Sequence, residues 1–592
     1  MKKSNIVLAV LTGFAILGCN PLKNMVKLAE QQQVDVVPNP LEVHGDSVKL
    51  DVSVVLPAKM LPEEFVYTMT AFYKYGDSEV EVGKTEFDAA DFPDSKTATS
   101  RKSDSYSFAY MDGMGNGDVE VMGTGLDKKK NESGNTPRYP VGKGLITTSR
   151  MVEDVAYAAY AEPGYTDQEE LTPTNVDFFF EQGSAVLRRS ETRSDKGKEF
   201  SAFIADKNVT KTVTITGTHS PEGTETINSD LSENRAKSIE KYYRAQMRRY
   251  DYKDMADSIQ FILKPVIQDW TEFKDALGAY DGITDEQKSE VVRIVNGAGT
   301  FEDKEKALQN LDSYDAIFDD IYPGLRTAKT EVLTVIEKKT NAEISALAKQ
   351  LVAEDTTATD SLSNGELLWA ATLTPSLEEK EGIYKLATKQ SGSWEAHNNL
   401  GAVYIEMAQA AEGDDRTSKV EMAITQLEIA AKKKNAAEVQ ANMASAYALQ
   451  GNKSKAYDAA NAALGNNPGK HASGINGVKG SLEVKMGDYS SAISSLAGAD
   501  ETAQIAFNKG LAQLLNQDFD NASAGFGNAI ELNADYAKAY YASAIAAARA
   551  GNEVEVLSNL KSAVEKDATL KEKALSDLEF RDFATQVNEA LN

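Results

Sequence analysis

The C-terminal part of the chain repeats itself in one register, and that register leaves little freedom in what it can fold into. Segments beginning near Glu438, Ile475, Ile505 and Tyr540 align. A turn slot is filled by Gly451, Gly487, Gln517 and Gly551. Two residues on stand Lys453, Tyr489, Phe519 and Glu553. Three further come Ala456, Ala492, Ala522 and Val556, and four beyond those Ala460, Leu496, Phe526 and Leu560. Seven residues before the slot the residue is small each time: Ala444, Gly480, Gly510, Ala544. Apolar residues at helical spacing on both sides of a turn describe two antiparallel helices, and the small residues let the pair approach closely. One such pair cannot bury its apolar face alone, so the units must stack. Gly401, Tyr404, Leu427 and Ala430 mark an earlier unit, with Glu412 to Ser418 read as an insertion in its turn. Residues 366–592 are therefore expected to be all-helical, with 571–592 as a cap.

These offsets resemble the tetratricopeptide repeat, a helix–turn–helix unit of about 34 residues. The resemblance implies a superhelix with a concave binding face, and on it the recruitment of a protein partner, here an outer-membrane protein complex. The aromatic positions Tyr447, Tyr489, Phe519 and Phe526 are expected in its core.

The N-terminus sets the expected compartment. Lys2 and Lys3 precede an apolar run from Ile6 to Leu17, interrupted only by Thr12 and Gly13. That run is shorter than the roughly 20 residues needed to span a bilayer and has the length and flanks of a signal-peptide core. It ends at Gly18-Cys19, and Cys19 is the single cysteine of the chain. The segment resembles a bacterial lipoprotein signal, 1–18, which implies acylation of Cys19, a lipid anchor and, with Asn20 following, the outer membrane facing the periplasm. With Cys19 acylated, no thiol remains for a disulfide. The polar stretch 19–40, with Asn-Pro at 20–21 and 39–40, reads as a tether. A net charge of −27 argues against nucleic acid, which demands a basic footprint.

Residues 41–165 read as β structure. Val48, Leu50, Val52 and Val54 alternate with Lys49, Asp51 and Ser53, and Tyr67, Met69, Ala71 and Tyr73 alternate likewise, the period of half-buried strands. A β-sandwich-like domain is expected. Residues 341–365 begin helical and end as a linker, since 355–361 carry no apolar face.

Residues 172–340 mix strands and helices. The informative stretch is Gly217-Thr218-His219-Ser220-Pro221-Glu222-Gly223, continuing to Asn228, Leu231, Ser232, Arg235 and Ala236. It resembles the peptidoglycan-binding domain of the OmpA family, in which Gly217, Gly223, Asn228, Leu231, Ser232, Arg235 and Ala236 fall in register. The whole arrangement is similar to a Bacteroidota-type envelope group. The resemblance implies an α/β domain in which a loop aspartate and the helix arginine grip the zwitterionic end of a diaminopimelate side chain. Arg235 stands in the arginine position. Ser220 replaces the aspartate, bringing no charge; the lost contact is worth about 1.5–3 kcal/mol. Glu222 is the candidate substitute, and Asn228 completes the expected peptidoglycan-binding set of Arg235, Ser220, Asn228 and Glu222, unless it merely caps a helix starting near Ser229. Residues from about 249 to 323 read as an insertion before the closing strand.

Nothing in the sequence speaks for catalysis. The histidines His44, His219, His397 and His471 lack metal-ligand spacing, there is no nucleophile elbow or phosphate loop, and neither a metal nor a cofactor is expected. Two readings follow. In the first, a non-enzymatic lipoprotein tethers an outer-membrane assembly to peptidoglycan. In the second, it is an accessory scaffold of a secretion, assembly or surface-attachment machine, its OmpA-like domain no longer binding the wall.

Overall fold

The computed structural model describes residues 21–252, 259–266, 270–354 and 360–592. Cys19 and the signal-like segment lie outside the described residues. The chain forms two compact units that do not follow sequence order. One joins the residues up to Tyr165 with Ile344–Asn592; the other is Thr166–Glu343.

In the first unit, the N-terminal region is a pair of sheets, antiparallel except where Leu145–Ile146 pairs parallel with Leu41–His44. Strand Ser47–Leu56 pairs with Gln33–Val37 and Leu41–His44 on one edge and with Ser100–Ala109 on the other. Strand Phe65–Tyr75 lies between Ser78–Asp88 and Gly117–Asp127. The alternation read from the sequence puts Val48, Leu50, Val52 and Val54 into one core with Tyr67, Met69, Ala71 and Tyr73. The stretch 19–40 is not a free tether over its described part. Pro21–Leu28 is a helix and Gln33–Val37 a strand, because Met25, Ala29 and Val36 supply apolar side chains that the sandwich core buries.

Five helix pairs follow the repeat register: Trp394–Ala410 with Gly413–Lys433, Ala437–Gln450 with Lys453–Gly465, Ala472–Met486 with Tyr489–Ala497, Ala503–Leu515 with Phe519–Leu532, and Ala537–Ala550 with Glu553–Lys566. Gly451, Gly487 and Gly551 close their helices at φ of 85°, 82° and 78°, and Gln517 takes the same left-handed conformation at 64°. Asn452, Asp488, Asp518 and Asn552 then cap the second helices by accepting from backbone N–H groups, satisfying donors that a helix start leaves orphaned. A Cβ on Gly480 would meet Leu496, and one on Gly510 would meet Phe526, which is why the slot demands small residues. The expected insertion at Glu412 to Ser418 does not loop out. It lengthens the helix that begins at Gly413. Residues 341–365 begin helical as expected, in Asn341–Val352, and Ile344 and Ala348 pack with Leu362 and Leu367; residues 355–359 of the expected linker lie outside the described residues. Residues 570–591 close the stack, burying Ala574, Phe580 and Val587.

The sandwich and the repeats, separate domains by sequence, pack as one body. His44 Nδ1 lies 2.9 Å from the Tyr489 hydroxyl, Asp46 pairs with Lys453 at 2.6 Å, and Arg549 reaches both Glu42 and Glu579. A Cβ on Gly45 would stand 2.8 Å from the Met486 carbonyl oxygen. The face of the first repeat helices, expected to be open, carries residues 152–162 of the chain itself.

The second unit is built on a sheet ordered Leu171–Phe179, Thr327–Val335, Thr210–Gly217, Gln260–Pro265; the first three run antiparallel to their neighbours and the last pairs parallel. Helices Asp195–Ala205 and Glu225–Arg249 bury Phe200, Ile204, Ile239 and Tyr243 against Phe178, Val213, Ile215 and Val332. The expected insertion at about 249–323 starts too early, because Gln260–Pro265 belongs to the sheet. The added part is the helical segment from Thr271 to Leu325, with its own core of Trp270, Phe273, Val291, Phe301, Ile317 and Tyr322.

Candidate functional site

The loop after strand Thr210–Gly217 is held by a close approach at its start. A Cβ on Gly217 would overlap the Ser232 backbone of the following helix, so only glycine lets strand and helix meet there. Gly223, at φ 102°, turns the chain into that helix, which begins at Glu225 and is capped by Thr224, whose side chain accepts from Ile227 N. Asn228 is therefore not the cap. It lies inside the first turn, buried, with Nδ2 unpartnered. Thr218 anchors the loop from below: its Oγ1 donates to the Leu325 carbonyl at 2.7 Å and accepts from Thr327 N.

Arg235 is the largest fully buried side chain, 1% exposed. Nη1 donates to Thr218 O at 2.7 Å, Nε to Ser184 O at 3.1 Å and Nη2 to Glu181 O at 3.3 Å. Its guanidinium also faces the Phe180 ring. Burial, with the nearby Arg326 charge, pushes its pKa down to about 10, which leaves it charged at neutrality. Three of its five N–H donors thus knit three backbone segments together.

Around this hub the structure assembles Ser220, Glu222 and Arg326. Arg326 Nε donates to Ser220 Oγ at 2.9 Å and to Glu222 Oε1 at 3.0 Å. Its Nη2 comes within 2.8 Å of Glu222 Oε1 as an ion pair but without hydrogen-bond alignment, so that nitrogen and Glu222 Oε2 both stay buried and unpartnered. Ser220 and Arg326 are almost fully buried. His219 Nδ1 lies 2.9 Å from the Ser220 carbonyl. A carbonyl only accepts, so Nδ1 carries the proton. Burial holds the His219 pKa below its ordinary value, and the ring meets Phe301 of the helical insertion edge-on at 5.5 Å. Behind it, the buried Glu305 carboxylate accepts from Tyr314 at 2.6 Å and from Tyr322, with its pKa raised by burial.

The four residues expected from the sequence are brought to one place, and Arg326 is the one it missed. Arg326 is 106 residues from Ser220 in the chain and carried no motif beyond its position at the closing strand. Among the described residues no group of His, Cys, Asp or Glu side chains is arranged to hold a metal, and no helix is long and apolar enough to cross a membrane.

Residues 179–248 match the family model described as the OmpA family; the chain thus carries an OmpA-family domain at its second unit. No curated protein matches. Solved structures that resemble the chain include three short proteins. One is the C-terminal part of a TPR repeat-containing protein from Cytophaga hutchinsonii (18% identity, 36% of this chain and 84% of that one, TM-score 0.27). Another is pilF of Pseudomonas aeruginosa (15% identity, 42% and 100%, TM-score 0.29). The third is MamA from Desulfovibrio magneticus (18% identity, 28% and 96%, TM-score 0.25). The tetratricopeptide architecture rests on the helix pairs themselves.

Proposed function

We propose that this chain is a non-enzymatic envelope scaffold that grips peptidoglycan through its OmpA-family domain, and that acylated Cys19 holds it to the outer membrane on the periplasmic side. The observation that carries the reading is the set of unpartnered buried atoms at the loop: an acceptor, Glu222 Oε2, and two donors, Asn228 Nδ2 and Arg326 Nη2. Buried polar atoms are normally hydrogen-bonded. An orphaned acceptor beside orphaned donors is complementary to a ligand bearing both an ammonium and a carboxylate, as the end of a diaminopimelate side chain does. Glu222 supplies the negative charge that Ser220 lacks, and Arg326 orients it through one hydrogen bond at 3.0 Å and an ion pair at 2.8 Å. Arg235 holds the loop and adds positive charge at neutrality.

A second reading, a scaffold whose wall site has lapsed, draws on the same residues. Arg235 already donates to three carbonyls, and Ser220 is tied to Arg326. Co-sedimentation of the full chain, with Cys19→Ser to prevent acylation, on purified sacculi separates the two. Saturable sedimentation that Glu222→Gln weakens about ten- to a hundredfold, the worth of one charge-assisted contact, supports the wall anchor. A chain that stays in the supernatant at all sacculus concentrations supports the lapsed site.

A further inference from the structure

Residues 152–162 form no regular element, yet their main chain is bound as a strand would be. Four polar side chains on three of the first repeat helices do the binding, rung by rung. Asn508 Oδ1 accepts from Glu153 N at 2.8 Å, and its Nδ2 donates to Glu153 O at 2.9 Å. Ser445 accepts from Tyr157 N and donates to Tyr157 O, at 2.9 and 2.8 Å. Asn442 does the same for Ala159 at 2.7 and 2.8 Å, and Asn399, on the third of these helices, for Ala161 at 2.7 and 3.1 Å. All four side chains are almost fully buried. Between them, helix Ala472–Met486 offers Gly474, where a Cβ would overlap the Tyr157 ring. Acidic residues near the two ends of the segment meet basic ones on the repeats: Glu153 with Lys538 at 2.5 Å, Asp154 with Lys485 and with Arg416 at 3.3 Å, and Glu162 with Lys470.

The rungs contact peptide N–H and C=O groups. They read an extended backbone; side chains add to it through Tyr157, whose hydroxyl lies 2.7 Å from His471 Nδ1, Tyr160, whose hydroxyl donates to Glu406 at 2.9 Å, the buried Ala159 and Ala161, and acids near the ends. On release, each asparagine exchanges its bonds for bonds to water, so a rung's net contribution is small. We propose that Asn399, Asn442, Ser445 and Asn508 form a receptor for extended main chain, that residues 153–161 occupy it in cis, and that an extended peptide with acidic ends takes the same rungs in trans once that segment is released. The partner of the repeats is then admitted by displacement. The assignment stands independently of the wall ligand.

The probe is a fluorescein-labelled peptide with the sequence of residues 151–163, followed by anisotropy against the full chain. The intact chain should show no saturable rise up to about 100 μM, because a tethered segment competes at a roughly millimolar effective concentration. Tyr157→Pro with Ala159→Pro removes two of the rung N–H donors from the cis segment and leaves the receptor untouched. That variant should bind the peptide saturably, and adding Asn442→Ala should weaken it at least tenfold. A folded proline variant that binds no peptide overturns the proposal, as does one indifferent to Asn442→Ala. Native-state hydrogen exchange on the unaltered chain decides the matter even if the proline variant does not fold. The amides of Tyr157, Ala159 and Ala161 should exchange at least tenfold faster than the core amides of helix Ala437–Gln450. Equal rates would make the segment an inseparable part of the core and refute the exchange.

Discussion

Truncating Arg235 should destabilise the OmpA-family unit whatever it does to ligands. In Arg235→Ala three buried carbonyls, of Thr218, Ser184 and Glu181, lose their donor at once. A hydrogen bond to a charged group contributes about 1.5–3 kcal/mol. Such terms do not add fully, and water entering the vacated space recovers part, so a loss of about 4–5 kcal/mol is expected. With a urea dependence of about 2 kcal/mol per M, the midpoint should fall by about 2 M. Trp270 reports it. It is the one tryptophan of the unit, buried, with its ring 4.6 Å from that of Phe301, which also touches His219. Trp369→Phe and Trp394→Phe remove the two others. Urea titration of the full chain in that background, followed by Trp270 fluorescence, gives the difference directly. A shift below about 1 kcal/mol would show that Arg235 is a surface-like ligand residue and not the hub described above.

Three further outcomes follow from the same geometry. Gln517→Gly should stabilise the repeat unit by about 1 kcal/mol, because a non-glycine residue at φ 64° bears a left-handed strain of that order; chemical denaturation checks it. Asn442→Ala should destabilise the same unit by about 2–4 kcal/mol, since it strands the buried N–H of Ala159 and takes the donor from Asn398 Oδ1, while the Ala159 carbonyl keeps Asn398 Nδ2, at the usual cost of unpaired groups, and Asn442→Asp should not rescue it. His219 has a folded pKa depressed by burial, so the unfolded chain binds the proton first. Its contribution is complete above its ordinary pKa of about 6.5 and fades as pH falls below that value. The stability gap between the wild type and His219→Gln should therefore narrow from pH 7 to pH 5 in thermal melts.

Much of this architecture is legible in the sequence because it is set by local rules. The glycine slot at 451, 487 and 551 and the small residues at 444, 480, 510 and 544 are backbone requirements, so they recur visibly. The alternation at 48–54 is equally local. What the sequence hides is pairing at long range. Arg326 is invisible as a site residue because only the closed sheet brings it to Ser220 and Glu222. The union of sandwich and repeats depends on single contacts such as His44 with Tyr489, which leave no periodic trace. Arg235 was legible as a residue but not as a hub, since burial of an arginine is decided by three segments at once. One signal was present and unused. Asn442 and Asn508 both stand two positions ahead of the small-residue slot, polar side chains on an otherwise apolar helix face, and both turn out to bind main chain.

The proposed wall ligand is a zwitterion held by the loop around Glu222, Asn228 and Arg326. Calorimetric titration of the full chain with a diaminopimelate-containing stem peptide tests it most directly. Saturable one-to-one binding is expected, which Glu222→Gln and Arg326→Met each weaken at least tenfold and which a lysine-containing stem peptide, lacking the second carboxylate, does not reproduce. Absence of binding by the folded chain, or binding that ignores both substitutions, would contradict it.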